Sequence, residues 1–277
     1  MLSLNETHKK RYAIFYIICF GIYYCWYWFH GILLHQIEPV FYHNRLDLTT
    51  NIVMMSGLQS AIIRSPSLQL VLDGLFILLP LLMCAACVAG SRIQRPLAIL
   101  TAIFNLVYAI MLSLMSPLSI EGFTGWMLLP LLFAFKKEAS FYYILHCLRY
   151  LFILIFSSSA LWKICTGAVF NTEQMSAILA NQHAAYLVSA NGDWYANLIT
   201  YFIGHQNLSY CIYLAATLAE LVFVVGFFTK KWDRILIVIF LLFVAVDYFL
   251  MRINYFSWVA FMGCFRFSRY QNPLQKM

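Results

Sequence analysis

Of the 277 residues 63% are hydrophobic and only 10% charged, and mean hydropathy is +0.78, which excludes a soluble globular domain. The net charge of +7 does not point to nucleic acid, because the basic residues fall in short clusters between apolar runs, where membrane topology accounts for them. The length accommodates roughly seven or eight spans with short connections, giving an all-α polytopic protein with a single transmembrane domain over residues 1–277.

The first apolar run, from Tyr12 to about His35, follows His8-Lys9-Lys10-Arg11. It is too long for a signal-peptide core and lacks a small-residue cleavage site, so it is expected to be a retained anchor with a cytoplasmic N-terminus. Its aromatic run Tyr23–Phe29 reads as an interfacial belt. Further spans are expected at Leu68–Gly90, Pro96–Met115, Ile120–Phe135, Tyr142–Lys163, Leu208–Phe228 and Ile235–Met251, with a shorter stretch at Ile253–Phe265. The Ile120–Phe135 and Ile253–Phe265 stretches are short, as re-entrant or tilted segments are.

Counting spans from a cytoplasmic N-terminus puts Arg92/Arg95, Lys136/Lys137 and Lys230/Lys231/Arg234 together on the cytoplasmic side of a cell membrane. Two longer connections, Gln36–Ser67 and Cys165–Asn207, then lie outside. In the second, Asn171 and Gln174 resemble a capping box ahead of Met175, Ile178, Leu179 and Tyr186 at helical spacing. That pattern fits a helix on the outer membrane surface or a packed connector helix.

A rise of about 1.5 Å per residue places Arg149 and Glu220 each about 12 Å from the inner ends of their spans. Opposite charges at one depth are expected to form a structural ion pair. A second group lies in the outer half: Lys163 near the end of its span, with Asp73, Asp247 and Arg252, joined by His30 and His35. Ionisable residues of both signs at similar depth predict a polar cavity open to the outside, whereas the structural alternative for Lys163 is a stem that snorkels to the headgroups. His30, His35, His43 and His183 lack the spacing of a metal site, and no metal is expected. Cys84-Ala-Ala-Cys87 has redox-pair spacing but reads as helix packing, and Cys165 with Cys211 flank the outer connection.

Three pieces carry a family resemblance over about residues 144–267. They are Phe156-Ser-Ser-Ser-Ala-Leu-Trp-Lys163, then Ala215-Ala-Thr-Leu-Ala-Glu220 running to Gly226 with basic residues after it, then Asp247-Tyr-Phe-Leu-Met-Arg-Ile253-Asn-Tyr-Phe256-Ser-Trp258. In this order they resemble the HTTM membrane domain of the vitamin K-dependent carboxylase-like family, which is distantly similar to DoxX-type membrane proteins. The resemblance implies that Lys163 acts as a base on a reduced quinone or vitamin K-like hydroquinone, a role for which burial would lower a lysine's pKa.

Ser119-Ile-Glu-Gly-Phe-Thr-Gly125 lacks the histidine the carboxylases carry there, another histidine is replaced around Val244–Asp247, and the carboxylases' outer substrate-binding domain is not expected. Full carboxylase activity is therefore not expected. Bacterial relatives of this size include a membrane component of the system that matures and exports a sporulation-delaying antimicrobial peptide. The expected function is action on a lipid, quinone or exported peptide at the outer leaflet. The alternatives are a non-catalytic partner of another membrane protein in peptide maturation, export or immunity, and a DoxX-like redox-associated protein.

Overall fold

The computed structural model describes residues 4–38, 48–116, 120–135, 137–190 and 192–268, so His43, Lys136 and Ser119 lie outside the described residues. Among the described residues every regular element is helical. Six helices carry spans long and apolar enough to cross a membrane: α1 (Leu4–Phe29), α2 (Pro66–Val88), α3 (Gln94–Met115), α4 (Glu138–Cys165), α5 (Gln206–Val222, continued by a short helix Val225–Phe228) and α6 (Asp233–Met251). The protein is thus an all-α, multi-pass membrane protein. It forms two compact units: residues 1–148 with 256–277, and residues 149–255.

The first unit is organised on one face of α1. Tyr12, Tyr16, Phe20, Tyr23 and Tyr27 recur every three or four residues and are buried, so they form a helical stripe. Trp126, fully buried, meets Tyr16, Phe20 and Tyr23 with ring centroids 5.0–5.6 Å apart. This corrects the reading of Tyr23–Phe29 as a belt. Tyr23 and Tyr27 belong to the core, and only residues on the other face, such as Trp28 and Phe29, are exposed.

The Ile120–Phe135 stretch is a 3₁₀ turn (Ile120–Phe123), a short α-helix (Thr124–Leu128) and a second 3₁₀ segment (Leu129–Phe133). Phe123 packs on Tyr23 and Tyr27, Phe133 packs on Tyr12 and Tyr16, and Lys9 donates to the carbonyl of Phe135 at 2.8 Å. The stretch therefore runs antiparallel to α1 from Tyr27 to Lys9, a span of roughly 27 Å at α-helical rise. The larger 3₁₀ rise, about 2.0 Å per residue, lets so few residues cover it. Its looser backbone bonding is compensated by side chains: Asn105 donates to Trp126 O at 2.8 Å and Gln94 to Phe133 O at 2.5 Å.

The last apolar stretch is broken into Phe256–Val259 and Met262–Phe267. It packs on the same α1 stripe, with the Tyr12 hydroxyl donating to Ala260 O at 3.0 Å. A Cβ at Gly125 would collide with the backbone of Ser257, so glycine there sets how closely these two short segments approach.

Candidate functional site

The second unit contains two ionic layers whose positions follow from side-chain direction. Helical side chains lean toward the N-terminus of their own helix. On α4, Arg149 leans toward the Glu138 end and meets the turn between α5 and α6. Its guanidinium donates to Asp233 Oδ1 and Oδ2 at 2.5 and 3.1 Å and to Gly226 O at 3.0 Å, and both charged side chains are wholly buried. Gly226 and Thr229 lie where α5 gives way to the loop, so their carbonyls face the guanidinium instead of a next helical turn.

Lys163, in the last turn of α4, leans inward from that end, while Glu220 on the antiparallel α5 leans toward it. The ammonium lies 2.9 and 2.8 Å from the two Glu220 oxygens, and Ser159, four residues before Lys163 on the same face, donates to Oε1 at 3.1 Å. The ammonium also stands 5.4 Å from the centre of the Tyr213 ring. The expected Arg149–Glu220 pair is thus corrected: the charges sort as Arg149–Asp233 and Lys163–Glu220. Counting Cα depth alone put Arg149 and Glu220 together, whereas the stems carry them to opposite layers.

Lys163, Glu220 and Asp247 share a cavity of about 580 Å³, within the roughly 300–1,000 Å³ of small-molecule sites. Its walls are apolar, from Ala215, Ala216 and Ala219 on α5, Leu242, Phe243 and Val246 on α6, and Met175 and Ile178 from the connection. Leu242 is 61% and Val246 50% exposed, so this wall of the cavity reaches the apolar surface of α6. Small residues on α5 leave the volume, and the ionic groups sit together as its polar end. Asp247 lies within electrostatic reach of Lys163 and Glu220, yet its Oδ2 is buried without a hydrogen-bond partner. A buried carboxylate oxygen so placed has an acceptor position to offer a ligand.

Of the other residues expected in this cavity, none lines it. Asp73 belongs to the first unit, where its carboxylate accepts from the backbone N–H groups of Leu34 (3.1 Å) and His35 (3.0 Å), from His35 Nδ1 and from the Tyr108 hydroxyl (both 2.5 Å). It ties the chain leaving α1 to α2 and α3. His30, also in the first unit, is exposed, stacks on Trp26 and bonds the Trp26 carbonyl one helical turn back. Arg252 ends α6 in a left-handed conformation (φ 57°) with its guanidinium 4.3 Å from the Tyr195 ring centre, which turns it away from the cavity that Met251 and Ile253 line.

The connection is a packed one. Met175 and Leu179 of the helix Gln174–Gln182 are buried against Tyr195, Ile199, Tyr213 and Leu250, and the Asn171 side chain accepts from the Glu173 N–H at 3.0 Å. The Tyr186 hydroxyl donates to Asp193, which raises the tyrosine's pKa. At the opposite end, burial and then the Arg149 guanidinium lower the pKa of Lys230, while Asp233 acts against them. All eight cysteines, including Cys84, Cys87, Cys165 and Cys211, are free thiols. Ser159 and Tyr213, which complete the site, and Asp233, which takes Arg149, were not singled out from sequence. The i, i+4 spacing of Ser159 and Lys163 is the one signal that was available.

No family model, curated protein or solved structure matches the chain.

Proposed function

We propose that the second unit binds an amphiphilic molecule, a lipid, a quinone or an apolar exported peptide, with its polar group at Lys163, Glu220 and Asp247 and its apolar part along α5 and α6. The observation that carries this reading is the cavity's polarity gradient: an ion pair and a carboxylate at one end and apolar walls elsewhere, reaching the exposed Leu242 and Val246 of α6. The likeness of residues 144–267 to the HTTM and carboxylase-like family is part of the same proposal, with the cavity at the cell membrane's outer leaflet and the N-terminus in the cytoplasm. The convergence of Lys9, Arg92 and Arg95 on one end of the first unit supports that orientation.

In this geometry Lys163 is held as an ammonium by both oxygens of Glu220. Action as a base would require the ammonium first to pass a proton to that carboxylate, leaving a neutral amine beside a neutral acid. The test uses diazirine-bearing quinone and fatty-acid probes on the full-length protein in native membranes. Labelling on α6 near Leu242 and Val246 is expected, and a cavity-filling Ala219→Phe variant should suppress it; undiminished labelling would overturn the binding reading. Lys163→Arg separates the roles, because a guanidinium keeps the charge of the pair but does not give up its proton. A variant that binds the probe but loses activity in the cell marks Lys163 as the base, whereas one that retains both marks a binding residue.

A further inference from the structure

A second concavity lies at one end of the first unit and involves none of the residues discussed above as a binding site. It encloses about 350 Å³ and brings together Lys9 and Lys10 from α1 with Arg92 from the α2–α3 turn and Arg95 from the first turn of α3, about 80 residues later. Its floor is formed by Cys87, Gly90 and Phe135. Three features separate it from a scatter of basic residues on a membrane-proximal surface. The four cations converge on one depression from distant parts of the chain, and none of them takes part in the His35–Asp73, Arg149–Asp233 or Lys163–Glu220 pair. Lys9 is anchored by the Phe135 carbonyl, which leaves two of its ammonium protons to donate. Gly90, in the left-handed conformation at φ 69°, turns the chain sharply after α2 and presents Arg92 beside Arg95 in the first turn of α3.

Four like charges held this close repel one another in the absence of a counter-ion, and a concave low-dielectric wall strengthens their field. We infer that the depression binds a phosphate-bearing anion, with the two guanidiniums donating to phosphate oxygens and the lysines neutralising the remaining charge. Its place at the end of α1, where the span gives way to the basic N-terminal turn, suits the phosphate of an anionic lipid headgroup, and a free phosphate compound would use the same contacts.

The experiment compares delipidated full-length protein with the double variants Arg92→Gln/Arg95→Gln and Lys231→Gln/Arg234→Gln, which remove equal charge from different places. Binding is read by native mass spectrometry against phosphatidylglycerol, phosphatidic acid and phosphatidylcholine, and by thermal shift with inorganic phosphate. Anionic lipid should bind the parent and the Lys231/Arg234 variant alike and bind the Arg92/Arg95 variant roughly 30-fold more weakly, with phosphatidylcholine indifferent. If inorganic phosphate alone gives the same site-dependent shift, the natural ligand is a soluble phosphate compound; if only the lipids do, it is a headgroup. Equal losses in both variants would reduce the effect to diffuse surface charge, and no preference for anionic lipid in the parent would likewise overturn the site. Unchanged melting of the ligand-free Arg92/Arg95 variant verifies that it folds.

Discussion

The two units solve the burial of polar groups in opposite ways. In the first, several polar side chains of the interior are spent on backbone and on each other: Asp73 on two N–H groups, His35 and Tyr108, Asn105 and Gln94 on carbonyls of the Ile120–Phe133 stretch, and Tyr12 on Ala260 O. The interior between them is aromatic and closely packed around Trp126. In the second, the charges are paired with each other, and one pair stands at the edge of a cavity instead of in a filled core. A membrane protein that only needed to fold has no use for an open volume beside an ion pair. The contrast therefore distinguishes the filled core around Trp126 from the open volume beside Lys163 more sharply than any single motif does.

The largest expected effect tests whether the buried pair of the second unit belongs to the scaffold. Arg149→Ala should destabilise the protein by about 3–5 kcal/mol, because it strands the Asp233 carboxylate without solvent. Arg149→Met with Asp233→Leu should recover most of that loss in thermal unfolding followed in detergent. Trp126→Ala should cost a similar 3–5 kcal/mol by opening a void in the aromatic core, with no effect on probe binding in the second unit. Asp73→Asn comes next, at roughly 1–3 kcal/mol: the amide offers one acceptor oxygen where four donors converge and turns its own donors toward them. Faster proteolysis between α1 and α2 would report it. The smallest effect on stability is expected at the candidate site. Lys163→Met should cost about 1–2 kcal/mol, since the pair is partly open to its surroundings, yet it should abolish labelling by the amphiphilic probes. A Lys163→Met protein that melts like the Arg149→Ala protein and still takes up the probe would erase the distinction between the units.

Much of this architecture was legible in sequence, for physical reasons. Long apolar runs must become helices in a membrane, so the six long spans followed from hydropathy alone. Lys163, Glu220 and Asp247 stood out because charges within such runs are costly. Their pairing was not legible, because a count of depth along the helix axis omits the direction in which a long side chain leaves it. Arg149 and Glu220 have similar Cα depths, but their side chains lean to opposite ends of the unit. Nor could hydropathy show that Tyr23 and Tyr27 face a core while Phe29 faces outward, since an aromatic run reads alike on every face until its partners are known.

The 3₁₀-rich stretch from Ile120 to Phe133 carries a consequence for biogenesis. Too short to cross as an α-helix, and with carbonyls that depend on Asn105, Gln94 and Lys9, it has no stable state of its own in hydrocarbon. It must enter the bilayer against α1 and α3 once these are already in place, so the order of synthesis from the N-terminus is also the order in which the membrane can accept the chain.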